Sequence, residues 1–194
     1  MKLLRILGHE LVLGTLIAVL SVFTAYASWQ GSIADSKQNE NEVLGMQNLN
    51  DGNAEYLSAN QFIVYDFTMY DGWYTTEDED KAAYYESSYS DELVAAIEAN
   101  PDDPFNEEYY DAMYAIAHEY WDESDANFEL AGQYDDRGDK LQLVMLLMAL
   151  ALAFAAWGAL QKEESNMRTL FAFASVAVFV VGLLNYLPLL FAAG

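Results

Sequence analysis

Residues Leu141–Gln161 read LQLVMLLMALALAFAAWGALQ, twenty-one residues without a charged side chain. As an α-helix with a rise of 1.5 Å per residue, this stretch would be about 31 Å long, which matches a hydrocarbon core of about 30 Å. A core helix of a soluble protein would carry a polar stripe, whereas here the glutamines Gln142 and Gln161 lie at the two ends. The stretch therefore predicts a transmembrane helix.

Two further apolar runs predict two more spans. The first covers residues 11–28, and Tyr26 and Trp29 lie where an interfacial aromatic belt is expected. The tripeptide Ala-Tyr-Ala at residues 25–27 also fits a cleaved signal peptide, which would leave two spans. We favour a retained signal anchor, because the apolar run is longer than a typical signal-peptide core. The last run, residues 169–194, predicts the third span.

Charged residues are concentrated between the first two spans. The chain has 31 Asp and Glu residues against 8 Lys and Arg residues, and the segment 29–140 holds 28 of the acids but only 4 of the bases. Apolar ends beside a strongly acidic middle predict that the ends lie in lipid and the middle in water. Such a segment is not expected to bind nucleic acid, because that binding rests on Lys and Arg.

The remaining bases predict the topology: they are Lys2, Arg5, Lys162 and Arg168. Because cytoplasmic loops carry an excess of Lys and Arg, residues 1–10 and the link 162–168 are predicted to be cytoplasmic. The acidic segment and the C-terminus would then be extracytoplasmic. An extracytoplasmic domain without cysteine suits the inner membrane of a prokaryote.

Hydrophobic periodicity predicts that the acidic segment is a bundle of helices. Residues 53–70 show helical spacing, although residues 62–65 alone would also fit a strand. The sequence Asn-Asp-Gly at residues 50–52 predicts a turn before this helix. Further helices are expected over residues 75–100 and from Phe105 onward, and the last continues towards the span at Leu141. The predicted fold class is therefore all-α.

A stripe of small side chains on the first span indicates close helix packing. Its members recur at spacings of three and four residues: Gly14, Ala18, Ser21, Ala25 and Ser28. Small faces allow transmembrane helices to approach each other closely. The partner of this stripe is either another span of the same chain or the same helix in a second subunit.

The acidic segment is also rich in aromatic residues, since it contains most of the 14 tyrosines of the chain. Tyr and Trp combine a large apolar surface with a polar group and are enriched where proteins meet. The candidate interaction surface comprises Trp73, Tyr74, Tyr110 and Trp121. Alternatively, the aromatic residues form the core of the helical bundle.

No pattern in the sequence indicates catalysis or a cofactor. His118 begins His-Glu-x-x-His spacing, but Asp122 stands at the position of the second histidine. The glycines at 52, 72 and 138 lack the Asp and Asn spacing of a calcium loop. We therefore expect a non-enzymatic protein without a cofactor or specific metal site, whose acidic clusters are either solvated helix starts and loops or loose binding sites for cations.

The layout resembles small bacterial membrane proteins of unknown function that have an N-terminal anchor, a helical external segment and a C-terminal membrane hairpin. The segments that carry this resemblance are LSVFTAYASW, YLSANQF and GDKLQL. The sequence thus predicts an oligomeric membrane protein whose acidic helical ectodomain is an interaction or scaffold module, as in an accessory subunit of a larger membrane complex. The alternative is a cation-responsive sensor or channel component.

Overall fold

The computed structural model describes residues 7–191, and these residues form α-helices without any β-strand. The helices are α1 (Glu10–Thr75), α2 (Glu79–Glu86), α3 (Asp91–Ala99), α4 (Glu107–Ala159) and α5 (Asn166–Phe191). The predicted all-α class is confirmed, and residues 62–65 are helical. The expectations for residues 1–6 and for the end of the last span, residues 192–194, lie outside the described residues.

Three of these helices, α1, α4 and α5, are long and apolar enough to cross a membrane. Only 17%, 33% and 22% of their most apolar windows are buried within the chain. Water would penalise so much exposed apolar surface, whereas lipid would not. Length, composition and exposure together are those of a membrane protein.

The helices contribute to two compact units. The apolar unit comprises residues 1–40 and 130–194, and the acidic unit comprises residues 41–129. The acidic unit contains 23 Asp and Glu residues, and Lys81 is its single Lys or Arg. Each unit has its own hydrophobic cluster.

The core of the apolar unit is built from α1, α4 and α5. Leu13, Leu20 and Ala27 on α1 are buried at intervals of seven residues, the spacing of a helix seam. They cluster with Val144 and Met148 of α4. The remaining buried members of the cluster are Leu141, Ala151, Ala155, Ala172, Tyr186 and Leu189.

One end of α5 is anchored by Arg168, which the sequence assigns to a cytoplasmic link over residues 162–168. The structure instead begins α5 at Asn166, so Arg168 is helical and is 7% exposed. Its Nε donates to the carbonyl oxygen of Gly8 at 2.6 Å, and its Nη1 donates to that of Gln161 at 3.1 Å. The guanidinium group therefore joins the start of α5 to the two neighbouring chain segments.

In the acidic unit, aromatic rings pack onto glycines of α1. A Cβ added at Gly52 would lie 2.6 Å from Trp121 Cδ1, and one at Gly45 would lie 2.9 Å from Phe128 Cε1. These glycines are seven residues apart, as are their aromatic partners on α4. The turn predicted at residues 50–52 is wrong, because α1 continues through it and Gly52 serves close packing.

The single helix expected over residues 75–100 is also wrong. The structure has α2 and α3 there, separated by residues 87–90. The side chain of Asp78 accepts hydrogen bonds from Asp80 N and Lys81 N and caps α2, and the hydroxyl of Ser90 accepts from Leu93 N and caps α3. The serine-rich stretch before Ser90 thus ends one helix and begins the next.

Candidate functional site

A buried carboxyl group lies at the centre of the acidic unit. Asp66 of α1 is fully buried, and its Oδ1 accepts a hydrogen bond from Ser90 N at 2.9 Å. Its Oδ2 accepts from Ser90 Oγ and from the hydroxyl of Tyr109 at 2.8 Å. Because Ser90 caps α3 and Tyr109 belongs to α4, this carboxyl group connects three helices.

Burial raises the pKa of Tyr109 above its usual value, and its hydrogen bond to Asp66 adds to the shift. The phenol therefore remains a hydrogen-bond donor to Asp66 throughout the neutral range. Tyr109 is 1% exposed and shares a hydrophobic cluster with Ile63 and Leu93. The arrangement fixes the position of α3 and of the chain that precedes it.

A cavity of about 350 Å³ lies between α1, the end of α2 and α3. This volume is at the lower end of the range of small-molecule pockets, about 300–1,000 Å³. Its lining residues are Tyr70, Trp73, Glu86, Tyr89, Val94, Ile97, Glu98 and Pro101. Both helix α1 and the segment next to Ser90 thus contribute to its wall.

Three aromatic rings form one side of the cavity. The ring of Tyr70 lies 5.5 Å from that of Trp73, centroid to centroid, and 6.2 Å from that of Tyr89. The interplanar angles are 37° and 38°. Tyr70 and Trp73 are three residues apart on α1, so helical geometry places them on the same side. Tyr89 approaches them because Ser90 is held by Asp66.

The charge of the cavity is entirely negative. Among its described lining residues, Glu86 and Glu98 are the carboxylates, and none is Lys, Arg or His. The hydroxyl oxygen of Tyr89 is buried and has no hydrogen-bond partner in the described part of the chain. Burial, followed by the negative charge of Glu86, raises the pKa of Tyr89 to about 12. The site therefore combines aromatic faces, two carboxylates and an unused phenol group.

The four residues of the predicted interaction surface differ in their surroundings. Tyr74 is 76% exposed, whereas Trp73 is half-buried in the cavity wall. Tyr110 is half-buried against the core cluster of the acidic unit. Trp121 is half-buried, with its ring 5.6 Å from that of Tyr56. Tyr74 is thus the member of this group with the most exposed side chain.

His118 contributes to aromatic packing, since its ring lies 5.5 Å from that of Trp121 and 6.5 Å from that of Tyr114. Over residues 7–191, no three His, Cys, Asp or Glu side chains are grouped closely enough to hold a metal ion. A second cavity in the acidic unit, of about 610 Å³, has three carboxylates among its lining residues, those of Asp91, Glu92 and Glu108.

The stripe of small residues on α1 lies outside the intrachain core. All five members are exposed: Gly14, Ala18, Ser21, Ala25 and Ser28. Among the described residues, a Cβ added at Gly14 would meet no atom within 4 Å beyond the adjoining backbone of its own helix. The helices of the same chain pack instead against the face that carries Leu13 and Leu20. The spans of the same chain thus use another face of α1, and the stripe remains available for a second subunit.

Sequence reasoning did not find the cavity. The i, i+3 pair Tyr70 and Trp73 was a visible signal for a shared face, but Tyr89 and Glu98 belong to segments whose approach depends on Asp66. A buried carboxyl group cannot be told from the 22 other acids of the acidic unit by spacing alone. The contact of Asp66 with Ser90, which brings Tyr89 to the cavity, is therefore what sequence spacing could not reveal.

No protein-family model, curated protein or solved structure matches this chain.

Proposed function

We propose that this chain is a non-enzymatic, oligomeric membrane protein whose acidic helical unit is an interaction module, as in an accessory subunit of a membrane complex. The observation that carries the proposal is the exposure of the small-residue stripe, since Ala18 and the other four members of the stripe are exposed in the described part of the chain. Such a face suits close approach of a second transmembrane helix. Its occupant is the same helix of a second copy.

The acidic unit offers a second exposed surface. On α1, Leu57 and Val64 are 62% and 65% exposed and are seven residues apart, so they share one face of the helix. Tyr65 beside them is 44% exposed. Exposed apolar side chains of this size that share one face are typical of protein-binding surfaces. This surface supports an interaction module for a partner protein.

The proposed topology has the N-terminus and the α4–α5 link in the cytoplasm and the acidic unit outside, in the inner membrane of a prokaryote. The bias of Lys and Arg supports this orientation. Lys and Arg residues tend to keep a segment on the cytoplasmic side, and Lys81 is the only such residue in the acidic unit. The composition of this unit is therefore compatible with its translocation. The proposal needs no cofactor and no metal.

Cross-linking tests the oligomer directly, because the native chain has no cysteine. Ala18→Cys should form dimers in membranes under mild oxidation, since disulfides require Cα atoms within about 7 Å. The neighbouring Val19 is 40% exposed and points about 100° away around the helix, so Val19→Cys is the matched control. Equal cross-linking of the two variants, or a monomer in native mass spectrometry from mild detergent, would contradict the proposal.

Labelling of single cysteines tests the topology in intact cells. Tyr74→Cys places a thiol on an exposed position of the acidic unit, and Glu163→Cys places one on the link between α4 and α5. A membrane-impermeant maleimide should label the first variant in intact cells and the second only after lysis. The opposite pattern would invert the proposed orientation.

A further inference from the structure

The cavity between α1 and α3 has a composition that selects its ligand by charge. Tyr70, Trp73 and Tyr89 supply three aromatic rings, and the faces of such rings attract cations. Glu86 and Glu98 supply the only charges among the described lining residues. An anion would meet these two carboxylates without any Lys, Arg or His to offset them. The ligand that fits is therefore a cation.

The apolar lining narrows the class of cation. Calcium and magnesium are hard cations that keep oxygen ligands around them, whereas the lining of this cavity is largely aromatic and aliphatic, and no three His, Cys, Asp or Glu side chains are grouped to hold a metal ion over residues 7–191. Removing a strongly hydrated ammonium group from water is costly unless each N–H finds an acceptor. A methylated ammonium group avoids this cost, because it has few or no N–H donors and its methyl groups contact Val94 and Ile97 favourably.

From this composition we propose that the cavity binds a small methylated ammonium cation, with the cationic head against Trp73 and Tyr70 and the carboxylates of Glu86 and Glu98 balancing its charge. The cavity volume of about 350 Å³ accommodates a ligand of this size. This inference does not depend on the oligomer proposed above.

The inference predicts selectivity among three isosteric probes. Choline should bind the full-length protein in detergent saturably, and its uncharged carbon isostere, in which tert-butyl replaces trimethylammonium, should bind at least about tenfold more weakly. Trimethylglycine carries the same cationic head with a carboxylate, and Glu86 and Glu98 should repel it. Isothermal titration calorimetry at constant ionic strength measures all three.

Variants locate the binding site. The double substitution Glu86→Gln and Glu98→Gln removes both charges from the cavity, and Trp73→Leu removes one aromatic face; each should weaken choline binding by about tenfold. Glu77→Gln removes a carboxylate from the exposed segment between α1 and α2 and should leave affinity unchanged. Both glutamate positions are exposed, so folding of these variants is expected and is verified by circular dichroism.

Each outcome decides the inference. Selective binding of choline that is lost in the glutamine double variant but retained in Glu77→Gln supports it. Equal binding of choline and its uncharged isostere would show an apolar pocket without cation recognition and would overturn it. No saturable choline binding by the folded protein, or binding unaffected by the double variant and by Trp73→Leu, would also overturn it.

Discussion

Asp66 is fully buried, and the three groups that donate to it, two from Ser90 and one from Tyr109, are all neutral. A buried polar group is tolerated only when its hydrogen bonds are made, and here both carboxyl oxygens are satisfied. These hydrogen bonds fix the position of α3, because the same serine that donates to Asp66 also caps that helix. A single side chain thereby determines where the wall of the cavity lies.

Removal of this carboxyl group should destabilise the acidic unit. Asp66→Ala leaves the Ser90 and Tyr109 donors unsatisfied in the interior, and we expect a loss of about 2–4 kcal/mol in the free energy of unfolding. Tyr109→Phe deletes one donor and should cost less, about 1–2 kcal/mol. Chemical denaturation followed by circular dichroism measures both losses, and the reverse order of the two would contradict the proposed role of Asp66.

Tyr89 gives the acidic unit a sensitivity to alkaline pH. Its pKa is about 12 in the folded chain, above the value of about 10 for an unfolded tyrosine. Between these values the unfolded state loses a proton that the folded state retains, so stability should fall as the pH rises from 10 to 12. Melting temperatures at pH 8 and 11 test this, and Tyr89→Phe should reduce the decrease.

The control for that experiment is Tyr84→Phe, which makes the same chemical change on a side chain that is 62% exposed. If both tyrosine variants change the alkaline decrease equally, burial of Tyr89 is not its cause. Measurements at pH 8 provide the reference for both variants and the native chain. At that pH the tyrosine hydroxyls are protonated in the folded and in the unfolded state.

At the scale of helices, the sequence predicted the elements that hydrophobicity alone defines. The uncharged run at Leu141–Gln161 is helical to Ala159, and the apolar run near the N-terminus lies within α1. Local signals failed where tertiary contacts decide the structure. The Asn-Asp-Gly triplet indicates a turn in isolation, but Trp121 packs on Gly52 within a continuous helix.

A glycine in a helix lowers helix propensity, and it can also make room for a side chain that packs closely. Glycine substitutions separate these two effects. Gly132→Ala adds a methyl group that, among the described residues, meets no atom within 4 Å beyond the adjoining backbone of its own helix, so it should stabilise α4 by about 0.5–1 kcal/mol through helix propensity. Gly52→Ala gains the same propensity but places Cβ 2.6 Å from Trp121, and we expect a net loss of about 1–2 kcal/mol. Thermal melts of both variants provide the comparison.

A stabilising Gly52→Ala would show that the indole of Trp121 can move aside at little cost. Its Nε1 is buried without a hydrogen-bond partner in the described chain, so no hydrogen bond would be lost in that movement. The carbonyl oxygen of Ala117, however, lies 3.2 Å from the added Cβ and belongs to the helix backbone. This backbone contact cannot be relieved by rotation of a side chain, so it adds to the destabilisation expected from the contact with Trp121.

At the scale of the whole molecule, charge is divided as unevenly as hydrophobicity. The acidic unit carries 23 acids and one base, Lys81, which forms an ion pair with Asp78 at 3.7 Å. So many like charges repel one another and oppose folding, and dissolved salt screens this repulsion. The sequence alone predicted this charge, but not that one cavity would combine two of the acids with three aromatic rings.

Salt should therefore stabilise the acidic unit without regard to the identity of the cation. Raising sodium chloride from about 10 mM to 0.5 M shortens the screening length from about 30 Å to a few ångströms and should raise the melting temperature. Because no three carboxylates are grouped for metal binding over residues 7–191, calcium at equal ionic strength should act like sodium. A saturable shift with millimolar calcium, absent with sodium, would favour the cation-responsive sensor over the interaction module.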